Sequence, residues 1–329
     1  MDQKKRNIFV TGGTGFFGKA LLRHWASGDC PELKESKLTI LSRNPSDFQS
    51  AHGSLLSDLN VKLIGGDVLK PETLPIYEYS YILHAATDST RGLQLTPLER
   101  SQQIIDGTRN VLDLATKCGL PRVLLVSSGG VYGDISHFPN GVPEDYCGMP
   151  NPLNPENAYS VAKRHAEHLC ALYESEYGLE SVIARCFAFV GQDLPTNAHF
   201  AIGNFIGDAF KTKNIIIKGD GTPIRTYLDQ RDLAKWLTDI MLHGISGRAY
   251  NVGSNEKIAL ADLAKMIAEI SGARSDVQIL GKPPVGQAAN RNIYVPCIDR
   301  AQNELGLRVN FSLSEAVENI FKLLYSTSL

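Results

Sequence analysis

The sequence predicts an α/β protein built on a doubly wound parallel sheet, with a smaller, interleaved α/β domain toward the C-terminus. Three observations carry this. Short apolar runs recur between longer helical patterns through the first half of the chain. Several of those runs are continuously apolar, as strands covered on both faces must be. A glycine-rich turn follows the first run and opens the first helical pattern.

Each element follows from its residues. Ile8-Phe9-Val10-Thr11 reads as a buried strand, and Phe16 to about Trp25 as a helix. Leu38-Thr39-Ile40-Leu41, Val61-Lys62-Leu63-Ile64 and Tyr81-Ile82-Leu83-His84 read as the second to fourth strands. A helical pattern covers about Leu98 to Cys118. Arg122 to Val126 is a fifth strand ending at Ser127-Ser128, about Ala158 to Tyr177 a helix, and Ser181-Val182-Ile183-Ala184 a sixth strand. Strands alternating with helices in this way define a parallel sheet with crossovers.

After Arg185 the loops lengthen. A strand over Asn214 to Lys218 precedes a Gly219-Asp220-Gly221 turn, and helices follow at about Gln230–His243, Leu260–Ser271 and Ser314–Tyr325. Leu260, Leu263, Met266, Ile267 and Ile270 recur at helical spacing and mark a core face. Ala249 to Gly253 reads as a strand returning to the first sheet. The expected division is residues 1–185 with about 226–253 in a first domain, and about 186–225 with 254–329 in a second.

Composition narrows the function. The 329 residues are 43% apolar and 21% charged, in the globular range. Lys+Arg (33) less Asp+Glu (35) gives a net charge of −2. With no basic stripe, the footprint of a nucleic-acid binder is missing. No apolar run reaches the ~18 residues that suggest a membrane span. Six dispersed cysteines form no CxxC pair, and residues 1–6 lead straight into the first strand. Both features fit a cytoplasmic protein without a signal peptide. His24, His52, His165 and His168 lack a third ligand nearby, so no metal site is expected.

The chemistry begins at Thr11-Gly12-Gly13-Thr14-Gly15-Phe16-Phe17-Gly18. Gly12 permits a tight turn, Gly15 lets the backbone approach a pyrophosphate, and Gly18 lets the helix pack on the sheet. The N–H groups of the opening helical turn, at Phe16 and Phe17, then face the phosphates. The second strand ends in Ser42-Arg43, with no acid to select a ribose 2′-hydroxyl. Arg43 suits a 2′-phosphate, so NADP(H) is expected over NAD(H).

Tyr159 and Lys163 stand at i and i+4 of a helix and share one face. A free phenol is too weak an acid for proton exchange at neutral pH, and a nearby ammonium is expected to lower its pKa. Ser128, at the end of the fifth strand, lies where such sheets place ligand chemistry. Its hydroxyl is suited to hold a substrate oxygen against Tyr159 while the nicotinamide exchanges hydride at the same carbon.

These motifs resemble the extended short-chain dehydrogenase/reductase family, in its nucleotide-sugar epimerase/dehydratase branch. The resemblance covers nearly the whole chain and includes Gly66-Asp67-Val68, His84-Ala85-Ala86, Ser127 to Gly133, Tyr159 to Lys163, and Gly219-Asp220-Gly221 with Arg225-Thr226-Tyr227. It implies a Rossmann domain, with Asp67 on the adenine amino group, Val68 against the ring, and Ala85 and Ala86 along the cofactor. It implies that Ser128, Tyr159 and Lys163 are catalytic, that Lys163 also binds the nicotinamide ribose, and that Arg225 and Arg291 bind the diphosphate of a nucleotide sugar. It further implies a homodimer seamed by the helices at about 98–118 and 158–177.

Departures narrow the reaction. Family 4,6-dehydratases carry Asp-Glu directly after the catalytic Ser/Thr, whereas this chain has Gly129-Gly130. Elimination of water then lacks its proton carriers. Ile104 and Ala188 stand where the family commonly has Asn, and the second change removes a usual contact to the sugar nucleotide. Reduction of a 4-keto-6-deoxyhexose nucleotide is the leading expectation, tilted that way by Arg43. A 4-epimerase with retained NAD is the alternative, and a non-catalytic dinucleotide-binding regulator a third.

Overall fold

The structure, a computed structural model, describes residues 6–87, 94–196, 200–212, 214–272, 276–282 and 292–326. The chain forms two compact units. The first holds Met1–Gly133, Cys147–Cys186 and Ala234–Tyr250, and the second Asp134–Tyr146, Phe187–Leu233 and Asn251–Leu329. Residues 134–146, 226–233 and 251–253, expected in the first domain, thus cluster in the second. Polar contacts explain this. The Glu144 carboxylate accepts from the Asn251 N–H at 2.9 Å, and the Asn251 amide donates to Val142 O and Cys297 O. The Asp232 carboxylate accepts from the N–H groups of Asn310 and Phe311 at 2.8 and 3.1 Å.

In the first unit, strands β1 (Asn7–Thr11), β2 (Lys37–Ser42), β3 (Asn60–Gly65), β4 (Tyr81–His84), β5 (Arg122–Ser128) and β6 (Ser181–Cys186) alternate with helices. The helices are α1 (Phe16–Ala26), α2 (Pro45–His52), α3 (Pro97–Lys117) and α4 (Ala158–Tyr177). The sheet has seven strands, in the order Ala249–Val252, β6, β5, β4, β1, β2, β3. All pairs from β6 to β3 are parallel. The chain starts at the centre, winds out through β2 and β3, then returns to β4 and winds the other way. The crevice between β1 and β4 is therefore the switch point, where doubly wound sheets bind ligands.

The central strands form because their residues have almost no polar face to show water. Ile8, Phe9, Ile82 and Leu83 are completely buried, each worth about 1.5–3 kcal/mol over exposure. Helix α3 starts at a capping box. Thr96 Oγ1 accepts from the Glu99 N–H, and the Glu99 carboxylate accepts from the Thr96 N–H. Its Ile104, Val111 and Ala115 pack with Ala162, Ala166 and Cys170 of α4 in one core. Helix α4 ends at Gly178, whose φ of 70° closes it in the left-handed region.

The second unit has its own core, in which Ile202, Phe205 and Ile206 of helix Ala201–Lys211 meet Leu263 and Ile267 of helix Leu260–Ile270 and Val317 and Phe321 of helix Leu313–Ser326. Asn214–Ile217 pairs in parallel with Asp276–Ile279. Ile224–Arg225 pairs with Ile258–Ala259 and with Ile293–Tyr294. Among the described residues no helix is long and apolar enough to cross a membrane, and no three His, Cys, Asp or Glu side chains cluster as for a metal ion. Four of the six cysteines are buried, and all six are free thiols.

Candidate active site

The glycine turn is built for close approach. Gly12 has φ +75°, and a Cβ there would lie 2.6 Å from the carbonyl carbon of Ala85 and 2.8 Å from the Ala86 nitrogen. Gly12 thus rests on the Ala85-Ala86 backbone. At Gly18 a Cβ would fall 2.1 Å from Gly13, so this glycine lets α1 close on its own turn. Gly15 is the N-cap of α1 and is exposed; it supplies no side-chain cap, and the first turn carries no acid. The helix opening therefore keeps the donors and positive end that suit an anion. Phe16 and Phe17 pack on one another, ring centroids 5.7 Å apart, and both are half-buried.

A hydrogen-bond chain explains His84-Ala85-Ala86. The Thr108 hydroxyl donates to Ile104 O at 2.7 Å, so its oxygen accepts from His84 Nε2 at 3.3 Å. His84 Nδ1 then accepts from the Thr11 hydroxyl at 2.7 Å, and Thr11 Oγ1 in turn accepts from the Ala86 N–H. This fixes a neutral imidazole, and burial pushes its pKa down to about 3.

At the end of β2, Ser42 is buried, its hydroxyl oxygen accepts from the Asn44 N–H at 3.2 Å, and Arg43 is exposed. Asp67 turns the chain after β3, its carboxylate accepting from the Leu69 N–H at 3.0 Å. Val68 is buried in the core beside Gly107, where a Cβ would come within 3.0 Å of it. The Asn110 amide donates to Val68 O at 2.8 Å, fastening this turn to α3.

Ser128, Tyr159 and Lys163 come together over the strand ends. Ser128 is 9% exposed, and its hydroxyl oxygen accepts from the Gly130 N–H at 3.1 Å. That contact leaves the Ser128 proton for the Tyr159 phenol, and this hydrogen bond favours the phenolate. Lys163 Nζ donates to Thr87 Oγ1 and Val126 O, both at 2.8 Å, and stands 6.0 Å from the centre of the Tyr159 ring. Burial pushes its pKa down to about 8.

One expectation is corrected here. Burial raises the Tyr159 pKa, and the opposing influences are the Ser128 hydrogen bond and the charge of Arg100. The Lys163 ammonium, held by Thr87 and Val126 at 6.0 Å from the ring centre, does not outweigh that burial.

Gly129 and Gly130 open a short turn ending at Tyr132. A Cβ on Gly130 would meet Ser160 Oγ at 2.5 Å, so the Ser160 side chain occupies the space in front of this glycine. Behind the site, the Arg185 guanidinium donates to both oxygens of Glu167 at 2.8–3.2 Å and to the Tyr132 hydroxyl at 3.0 Å. Glu167 also accepts from the Ser127 hydroxyl at 2.5 Å. Sequence reasoning passed over this pair, although an arginine inside the apolar strand β6 was the available signal. It also passed over Thr87 and Arg100.

In the second unit, Arg225 donates from one terminal nitrogen to Ile224 O and Asn292 O, each at 2.8 Å, and lies 5.8 Å over the Tyr294 ring. Burial depresses its pKa. Gly221, at φ +76°, passes close to Ala261. Arg291 lies outside the described residues.

Fold and site together define a doubly wound α/β protein with a dinucleotide-type turn and a Ser–Tyr–Lys cluster. Residues 8–253 match the NAD dependent epimerase/dehydratase family, and the chain belongs to it. A UDP-glucuronic acid decarboxylase of Danio rerio is 30% identical over 281 residues, 85% of this chain. The match spans 64% of that relative's length. A dTDP-glucose 4,6-dehydratase of Streptomyces venezuelae, solved with NAD bound, superposes with a TM-score of 0.82 at 21% identity, covering 97% of each chain. A UDP-glucose 4-epimerase of Thermotoga maritima superposes with a TM-score of 0.79 at 22% identity, covering 98% of this chain and 100% of that one.

Proposed function

We propose that this chain is an NADPH-dependent oxidoreductase acting at C4 of a nucleotide-activated hexose, reducing a 4-keto-6-deoxy sugar. The observation that carries the reading is the meeting of Ser128, Tyr159 and Lys163 at the sheet's C-terminal edge, beside a turn with two glycines in place of carboxyls. The exposed Gly15, the uncapped and acid-free opening of α1, and Gly12 lying on Ala85-Ala86 fit a dinucleotide. Arg43 at the end of β2 supports NADP(H), and Asp67 and Val68 form the adenine side of the same site.

When bound, the dinucleotide supplies a hydride to the sugar. Ser128 holds the C4 oxygen. Tyr159 passes its proton to that oxygen as charge develops there. Lys163 orients the ribose and keeps its ammonium near the proton path. Arg225 and Arg291 bind the diphosphate, for which planar charged donors are suited. A homodimer through α3 and α4 belongs to the same reading.

Similarity to UDP-glucuronic acid decarboxylases and to 4-epimerases favours a second reading, in which C4 is oxidised and reduced again without net use of cofactor. Stoichiometry separates the two. Incubation with NADPH and dTDP-4-keto-6-deoxyglucose should consume one nicotinamide per product. Turnover of UDP-glucose or UDP-glucuronate with no change in nicotinamide absorbance would overturn the reductase. Tyr159→Phe with unchanged product yield would leave only a dinucleotide-binding regulator.

A further inference from the structure

Helices α3 and α4 both run back from the C-terminal edge of the sheet, so their first turns stand above the strand ends. On α3, Thr108 meets His84 at the end of β4, and Ile104, one turn earlier, is buried in the core shared with α4. Arg100 continues that stripe. At ~1.5 Å of rise per residue it stands roughly 12 Å beyond Thr108, over the site. Tyr159 holds the matching place in the first turn of α4, one turn beyond Lys163. Arg100 Nε is buried and has no hydrogen-bond partner among the described residues. A buried N–H without a partner is costly unless a ligand meets it.

We propose that Arg100 is a further catalytic residue, whose guanidinium faces the Tyr159 phenol and donates to the substrate oxygen that Tyr159 protonates. This rests on the C4 hydride-transfer reading. In the reductive direction hydride adds to the carbonyl carbon, and the π pair of the C=O bond moves onto oxygen. That oxygen takes the Tyr159 proton, and the phenolate left behind regains one from water. Arg100 opposes the negative charge first on the sugar oxygen and then on the phenolate. The groups bearing on the phenol agree with this. Ser128 from β5 and Arg100 from α3 favour its ionised form, while burial and Cys186 from β6 disfavour it. Lys163 from α4 has its ammonium engaged by Thr87 and Val126.

The test uses full-length protein labelled with [Cζ-13C]tyrosine, free of cofactor, with the Tyr159 signal assigned by its absence in Tyr159→Phe. In Arg100→Met the phenol should ionise at least tenfold less readily than in the parent, about one pH unit higher, and Arg100→Lys should restore part of the shift. Dinucleotide affinity should stay within about twofold, and turnover of dTDP-4-keto-6-deoxyglucose should fall ~100-fold. The titration needs no substrate and decides alone: coincident curves for parent and Arg100→Met overturn the inference. If Tyr159→Phe keeps full turnover, the C4 reading fails as well. If Tyr159→Phe is inactive and Arg100→Met titrates and turns over like the parent, only the role of Arg100 fails.

Discussion

Replacing Arg185 with Met tests the frame beneath the catalytic cluster. Arg185 and Glu167 are only 14% and 12% exposed, and they share three contacts between 2.8 and 3.2 Å. Arg185 also lies 4.8 Å over the Tyr132 ring, and Met would keep part of that packing. Removing the guanidinium leaves a buried carboxylate with only the Ser127 hydroxyl donating to it among its described partners. Breaking a buried pair in this way costs about 3–5 kcal/mol. Removing both charges costs far less, so Arg185→Met with Glu167→Met should recover most of the loss, which requires a coupling of at least about 3 kcal/mol. Both tryptophans, Trp25 and Trp236, lie in this unit and are buried, so fluorescence during urea unfolding reports on it directly. A loss below about 1 kcal/mol for Arg185→Met, or a double variant as weak as the two single losses added, would refute the reasoning.

Gly12→Ala should lose about 2–5 kcal/mol in urea unfolding, from left-handed backbone and a Cβ 2.6 Å from Ala85, and dinucleotide affinity should fall with it; parent-like values for both would contradict the turn's role. His84 is held neutral with a pKa of about 3, so the unfolded chain binds its proton first and stability falls as pH drops below the ordinary histidine value of 6.5. Between pH 6.5 and 5 the parent should lose about 1.6 kcal/mol more than His84→Gln, measured by denaturant unfolding at each pH; parallel losses would contradict the buried neutral ring. Arg43→Asp should move preference from NADP(H) toward NAD(H), read as the ratio of the two dissociation constants. An unchanged ratio would remove Arg43 from the cofactor site.

The parallel sheet was legible because its central strands are buried on both faces and so are written as nearly unbroken apolar runs. Helix Ala201–Lys211 was not. Gly203 and Gly207 weaken its helical pattern, yet a Cβ on Gly203 would strike Pro195 O at 2.4 Å and one on Gly207 would strike Thr196 O at 2.8 Å. Tertiary packing, invisible to local propensity, required glycine there. Strand Asp276–Ile279 is short and mostly exposed, and its partner Asn214–Ile217 lies far away in sequence. At the site, Tyr159 and Lys163 announced themselves by helical spacing. What each touches did not, because the Thr87 contact and the Arg100 charge come from other segments of the chain. The direction of the Tyr159 shift was misjudged for the same reason: spacing reveals a neighbouring ammonium, but not that two acceptors hold it or that burial outweighs it.

The most direct measurement follows a label. NADPH carrying deuterium at the transferring position is incubated with dTDP-4-keto-6-deoxyglucose, and the product is analysed by NMR and mass spectrometry. One deuterium at sugar C4, matched by one oxidised cofactor and lost in Tyr159→Phe, is the predicted result. A sugar product that carries no deuterium would contradict hydride transfer at that carbon.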